Sequence, residues 1–206
     1  MRARVSDFEA YRQFMADDEY DLDQLISRLR GRDEPSEAML AGTAFHLALE
    51  QATDGEFDVL RVPGYAFVID CEIAISLPEI REIRCSRQYG PLIVSGQVDA
   101  IDGLIVVDHK TTASMDAERF LSGYQWRFYL DIHGADVFRW NVFEIRKNER
   151  SSTDDDHVYV VTGSHQLEQH RYEGMHEDCT RLAADFYRFA SDYLPGYGYG
   201  NREDKK

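Results

Sequence analysis

Apolar and polar positions along the chain fall into alternating helical and strand-like segments. From about Asp7 to Arg30, Phe14, Leu22, Leu25, Ile26 and Leu29 keep helical spacing. The segment Gly31-Arg32-Asp33-Glu34-Pro35-Ser36 stops that helix, and Ser36 with Glu37 opens a second one to about Gln51. Val59 to Leu77 predicts one or two strands ending before Pro78. Leu92–Ile101 and Leu104–Lys110 predict a hairpin turning at Asp102-Gly103. Residues 116–132 read as a helix, and Val137–Arg146 and His157–Thr162 as two strands around the polar loop 151–156. A long final helix is expected from about Gln166 to Tyr193, with Met175, Cys179, Leu182, Phe186, Phe189 and Tyr193 as its buried stripe. This order predicts an α/β fold, a mixed central β-sheet flanked by helices with a helical N-terminus and a long C-terminal helix. Residues 1–194 are expected to form a single domain, with 1–37 as a helical N-terminal extension and 195–206 as a flexible tail.

Composition narrows the function classes. Apolar residues are 43% and aromatics 12%, enough for a substantial core. No apolar run reaches the roughly 20 residues of a membrane span, and the first residues lack the apolar stretch of a secretory signal. Cys71, Cys85 and Cys179 are odd in number and never form CxxC, which argues against a disulfide framework or a cysteine-built metal or iron–sulfur site. A reducing, cytoplasmic setting is the expectation. The formal charge of -15 is unusual for a protein that grips nucleic acid. Residues 1–58 carry 14 acids against 6 bases and residues 151–206 carry 11 against 6, whereas residues 59–150 carry 13 against 11. The acidity therefore lies at the two ends, where solvated helix faces are the plain explanation.

The candidate chemistry sits in the hairpin. A two-residue turn at Asp102-Gly103 would pair Ile101 with Leu104 and place Asp99 opposite Val106. Side chains alternate along a strand, so Gln97, Asp99, Val106, Asp108 and Lys110 would share one face. Asp99 and Asp108 would be diagonal neighbours, about 7–8 Å apart at the backbone. Two carboxylates so close favour a shared divalent cation, because without one they repel. Oxygen ligands suit Mg²⁺ or Mn²⁺, and Lys110 beside the ion would orient a water or stabilise developing negative charge.

Two helices add candidates. His46 and Glu50 share a helix face, with Gly42 one turn earlier allowing close approach to the sheet. His46 is either a metal ligand or a packed histidine, and Glu50 would orient it or a water. Gln125 and Tyr129 likewise share a face; they suit phosphate or base contacts, or simple packing. Glu72 is either a further acid near the site or a solvent-facing strand residue.

The series GTxxHxxLE, GxxDxxxG, DxK and QxxxY resembles the RecB-type nucleases of the PD-(D/E)XK superfamily. It is carried here by Gly42, Thr43, His46, Leu49 and Glu50, by Gly96, Asp99 and Gly103, by Asp108 and Lys110, and by Gln125 and Tyr129. The resemblance implies that His46, Asp99, Asp108 and the backbone carbonyl of His109 hold Mg²⁺ or Mn²⁺, that Lys110 positions the attacking water, and that Gln125 and Tyr129 contact DNA. It implies a restriction-endonuclease-like core and products with 5′-phosphates. Val98 stands where the superfamily's naming proline would be, and the four cysteines of many relatives' iron–sulfur cluster are absent.

The chain is compact and lacks a helicase segment, and it looks most like phage or prophage recombination exonucleases. That analogy favours exonuclease over endonuclease action, on double-stranded ends or single strands. A single-strand annealing protein is the natural partner, in a bacterial or phage-infected cell. A ring or dimer would supply processivity. The competing expectation is a catalytically silent nuclease-fold module that binds nucleic acid or a partner protein.

Overall fold

The computed structural model describes residues 1–52, 58–73, 78 and 80–198. Its elements are β1 (Arg2–Arg4), α1 (Val5–Ala16), α2 (Leu22–Leu29), α3 (Glu37–Gln51), β2 (Val59–Val62), β3 (Tyr65–Ile69), β4 (Ile80–Tyr89), β5 (Leu92–Asp102), β6 (Ile105–Thr112), α4 (Ala117–Leu121), α5 (Gln125–His133), β7 (Val137–Lys147), β8 (His157–His170) and α6 (Met175–Tyr193). One mixed sheet runs in the order β1-β5-β6-β7-β8-β3-β2, with β4 paired to β5. Helices cover both faces. Phe8, Leu25, Phe128, Met175 and Phe186, from α1, α2, α5 and α6, join Phe138, Trp140 and Val142 of β7 in the larger core. On the other face α3 brings Ala41, Phe45 and Leu49 against Phe67, Phe143 and Val161. Alternate side chains of β7 thus enter opposite cores, as a sheet buried on both faces requires.

The fold class is the expected one; several boundaries differ for local reasons. The first helix is two. Asp17 accepts the amide of Glu19, and Asp21 caps α2 by accepting that of Asp23, so this acidic stretch makes turns rather than helix. The N-terminal segment is part of the main core rather than an extension, since Phe8 and Leu25 are fully buried in it. The segment 116–132 is also split, at Ser122–Tyr124. The final helix begins only at Met175, because β8 continues through His170 in register with β7 and Gly174 takes a φ of +84° before the helix. Strand β4 is an addition to the expected elements; Arg81, Glu82, Arg84 and Arg87 mask its pattern. Tyr197, in the expected tail, donates to Asp7 and packs on Phe186. Of the strand expected up to Leu77, residues 74–77 lie outside the described residues.

The hairpin register is one residue later on each strand than expected. Asp102 pairs with Ile105 and Ala100 with Val107. Gly103 takes a φ of +58° as first residue of the two-residue turn and Leu104 follows with ordinary backbone, the signature of a type II′ turn. Moving one residue on both strands preserves the faces but changes the partners: Asp99 now falls level with Asp108 rather than diagonal to it.

The two edges of β5 are used unequally. Strand β4 occupies one of them from Leu92 to Ile101. Both β6, at Ala100–Asp102, and β1, at Ile93–Ser95, must therefore use the other. Between them the edge of β5 from Gly96 to Asp99 borders a slot in the sheet.

Candidate active site

The slot gathers most of the predicted residues. Asp108 and Lys110 lie beside Trp140 and Val142 of β7, whose side chains belong to the larger core, so both project toward the α1/α5/α6 layer. The Lys110 ammonium lies 2.9 Å from Asp108 Oδ1 and 2.7 Å from Oδ2. From α5, Gln125 Nε2 donates to Asp108 Oδ1 at 3.3 Å. Asp108 Oδ2 is fully buried, and although the ammonium is near, no donor meets it in hydrogen-bond geometry.

Asp99 is approached from the opposite layer. Its Oδ2 lies 3.4 Å from His46 Nδ1 of α3 and accepts the His109 amide at 2.6 Å. A backbone amide of β6 points along the sheet, so the carboxylate accepting it lies in the slot itself. The expectation that Asp99, Asp108 and Lys110 line one even face is thus corrected. The two acids meet through the gap between β5 and β6, with His46 on one side and Lys110 and Gln125 on the other. Gln97, expected on the same face, instead reaches Arg84 with Oε1 and Glu82 with Nε2, and Glu82 lines a small pocket with His46, Glu50, Arg81, Asp99 and His109.

Electrostatics agree with the geometry. Burial alone would raise Asp99, but the hydrogen bond and charge of His46, the charge of Lys110 and the His109 amide outweigh it and hold the carboxyl down at about 2. Burial pushes Asp108 up; Asp99 adds to that and Lys110 opposes it. Burial works against the Lys110 charge, yet Asp108 and Asp99 keep it raised, so it is an ammonium at neutral pH. Burial lowers His109 to about 4, leaving its ring neutral at physiological pH.

The glycines of the motifs have steric roles. A Cβ on Gly96 would stand 2.7 Å from Cε1 and Oη of Tyr129, and a Cβ on Gly42 would stand 2.9 Å from Thr111 Oγ1. Gly96 therefore lets Tyr129 lie on β5, where its hydroxyl donates to the Gln97 carbonyl at 2.9 Å. Gly42 brings α3, and with it His46, down onto β6, as its position suggested. Glu50 is exposed beside the same pocket, and Glu72 is exposed beyond the end of β3, off the strand expected to carry it.

Sequence reasoning missed Glu82 and Glu9. Glu82 is hidden in the unrecognised β4. Glu9 of α1 accepts the amides of Tyr124 and Gln125, the latter at 2.7 Å, across more than a hundred residues of sequence. No local pattern signals such a contact.

Two carboxylates, one of them with a buried oxygen that meets no hydrogen-bond donor, and an imidazole form a donor set suited to a hard divalent cation. Among the described residues, no three such side chains are gathered as closely as a closed ligand cage. The arrangement fits an ion entering the slot between Asp99 and Asp108.

A mixed sheet between helical layers is the fold of solved exonuclease structures. The fold is shared with a phage related exonuclease from Haemophilus somnus 129PT, 11% identical, over 93% of this chain and 96% of that one, at a TM-score of 0.52. It is shared likewise with a candidate exonuclease from Eubacterium rectale, 12% identical, over 94% of this chain and 82% of that one, at a TM-score of 0.52. No protein-family model and no curated protein sequence matches the chain. No helix among the described residues is long and apolar enough to cross a membrane.

Proposed function

We propose that this protein is a divalent-metal-dependent nuclease that hydrolyses DNA phosphodiester bonds, acting as an exonuclease in phage or bacterial DNA recombination or repair. The observation that carries the proposal is the slot, where Asp99 and Asp108 face each other with the Lys110 ammonium against Asp108. The fold shared with exonucleases supports the same reading. Asp99, Asp108, His46 and the His109 carbonyl would hold Mg²⁺ or Mn²⁺. Such an ion, when bound, polarises a phosphate oxygen and lowers the pKa of a water. The chain's own groups do the rest. Lys110, already charged, holds the attacking water and offsets negative charge growing on the phosphate. Gln125 moves from Asp108 to a phosphate oxygen, and Tyr129, anchored on β5, shapes the floor beside it. Glu50 supports His46 from the exposed side.

The acidic ends of the chain imply salt-sensitive binding in which the nearly balanced middle carries the contact. A second copy or a single-strand annealing protein would add the missing basic surface, and the setting is the cytoplasm. The competing reading, a nuclease-fold module that holds nucleic acid without cutting, draws on the loosely gathered donors.

One experiment separates them. Purified protein is incubated with end-labelled linear DNA and with circular DNA, in Mg²⁺, Mn²⁺ or EDTA. Loss of the linear form alone, abolished by EDTA, is the expected outcome. Binding without any metal-dependent loss of either form favours the silent module and sinks the nuclease reading.

A further inference from the structure

Helix α5 carries Gln125 as its first residue, and its N-terminal end is built by a distant part of the chain. Tyr124, just before the helix, offers no side-chain cap. The free amides of Tyr124 and Gln125 instead donate to Glu9 Oε1 from α1. An anion at a helix N-terminus is favoured both by the unsatisfied amides and by the helix dipole. Glu9 is itself held: Arg12 Nε donates to its Oε2 at 3.3 Å, and its neighbour Phe8 is fully buried in the larger core. A Cβ on Gly123 would stand 3.1 Å from Glu9 Oε1, so glycine at that position admits the carboxylate. Glu9 also contributes to keeping the Lys110 ammonium charged. One carboxylate thus links α1, the start of α5 and the lysine of the slot.

We infer that Glu9 is a positioning residue of the active site, which fixes the first turn of α5 so that Gln125 reaches Asp108 and the phosphate beside it. The inference rests on the nuclease reading for its consequence. It acts through Gln125: without Glu9 the two amides turn to water, the first turn frays, and Gln125 loses its fixed place.

The test is a double-mutant cycle on DNA cleavage in Mn²⁺. Glu9→Ala is expected to lower kcat by about tenfold, as misplacement of a contacting group does. Glu9→Gln, which keeps the acceptor, is expected to lose only about two- to threefold, because a neutral acceptor still satisfies the amides. In a Gln125→Ala background Glu9→Ala should cost less than about twofold, since residues acting through one contact are not additive. A merely structural role would multiply through, giving the same factor in both backgrounds, and that result overturns the inference. So does full activity of a folded Glu9→Ala protein. If the wild-type chain itself leaves DNA uncut, the nuclease reading has failed, and amide hydrogen exchange then decides the remainder. Exchange at Tyr124 and Gln125 about tenfold faster in Glu9→Ala than in wild type upholds Glu9 as the residue that sets Gln125; unchanged exchange rejects it.

Discussion

The ladder between β7 and β8 runs through eleven residue pairs with one irregularity, between Glu144 and Ile145, whereas the ladder between β5 and β6 runs through three pairs and then stops. Both join antiparallel neighbours in the middle of one sheet. In the first, backbone amides and carbonyls satisfy each other, and side chains such as Phe138, Trp140, Phe143 and Val161 fill two cores. In the second, an acid takes over where the backbone bonds end: Asp99 accepts the His109 amide that a neighbouring strand would otherwise accept. A buried amide must find a partner, and here it finds a carboxylate, which also faces His46 and lies level with Asp108. The site is therefore made by interrupting a sheet. The long ladder supplies the rigidity that makes the interruption tolerable.

The sharpest way to break that contrast is to remove the acid on the β6 side. Asp108→Ala and Lys110→Ala are each expected to reduce DNA cleavage by about a thousandfold, roughly 4 kcal/mol of transition-state stabilisation. Thermal unfolding should show both variants folded, because the eleven-pair ladder and both cores are untouched. Cleavage at the wild-type rate by either variant would place the chemistry elsewhere.

The next effect is steric. Gly96→Ala would drive a methyl group into the buried Tyr129 ring at 2.7 Å. The ring is held by its bond to the Gln97 carbonyl and cannot simply turn away, so a loss of about 3 kcal/mol in urea unfolding is expected, the upper range for overpacking. A second substitution, Tyr129→Ala, should recover part of the loss. If Gly96→Ala unfolds at the wild-type midpoint, β5 is not clamped to α5 beside the slot.

This clamp also marks the boundary of what the sequence made legible. The spacing of Gly42 and His46 and of Asp108 and Lys110 points to the candidate site, because local periodicity fixes which residues can neighbour each other on one element. The stripe of α6 from Met175 to Phe189 locates the core for the same reason, although Tyr193 at its end is exposed. The register of the hairpin was not legible, since Asp102-Gly103 and Gly103-Leu104 both make acceptable turns and differ only in where Gly103 places its positive φ. Nor was the slot, which depends on β1 and β6 sharing one edge of β5, a relation between segments some ninety residues apart. Glu9 escaped for that reason, and β4 because four of its ten residues are Arg81, Glu82, Arg84 and Arg87.

The slot has a pH signature of its own. His109 is buried against Asn141, whose amide lies 3.3 Å from its Nδ1, and burial lowers its pKa from 6.5 to about 4. The folded protein therefore resists protonation that the unfolded chain accepts. The unfolded state binds more protons between about 4 and 6.5, so this contribution is complete above pH 6.5 and disappears as the pH falls through the folded value. Between pH 7.5 and 5 the loss should be about 2 kcal/mol, taken over the part of the window crossed. Urea unfolding of wild type and His109→Gln at both pH values measures it. The glutamine variant should lose less by about that amount; equal losses would mean the ring is accessible to protons in the fold.

The smallest expected effect concerns what the interruption costs. Among the described residues, Glu82 is the one non-glycine with a positive φ, +53°. The β4–β5 ladder registers Arg81 with Ala100 and Ile83 with Val98 and passes over Glu82, which stands level with Asp99. The backbone is thus distorted on both sides of Asp99, toward β4 as well as toward β6. An L-residue held in the left-handed region is disfavoured by about 1 kcal/mol relative to glycine. Glu82→Gly and Glu82→Ala both remove the bond to Gln97, but only glycine also relieves the backbone. Glycine should therefore be more stable than alanine at this position by about 1 kcal/mol, the reverse of their order in an ordinary strand. The difference in urea midpoints reads this directly. Alanine as stable as glycine would mean that β4 bends without strain, and that the parting of strands around Asp99 is paid for on the β6 side alone.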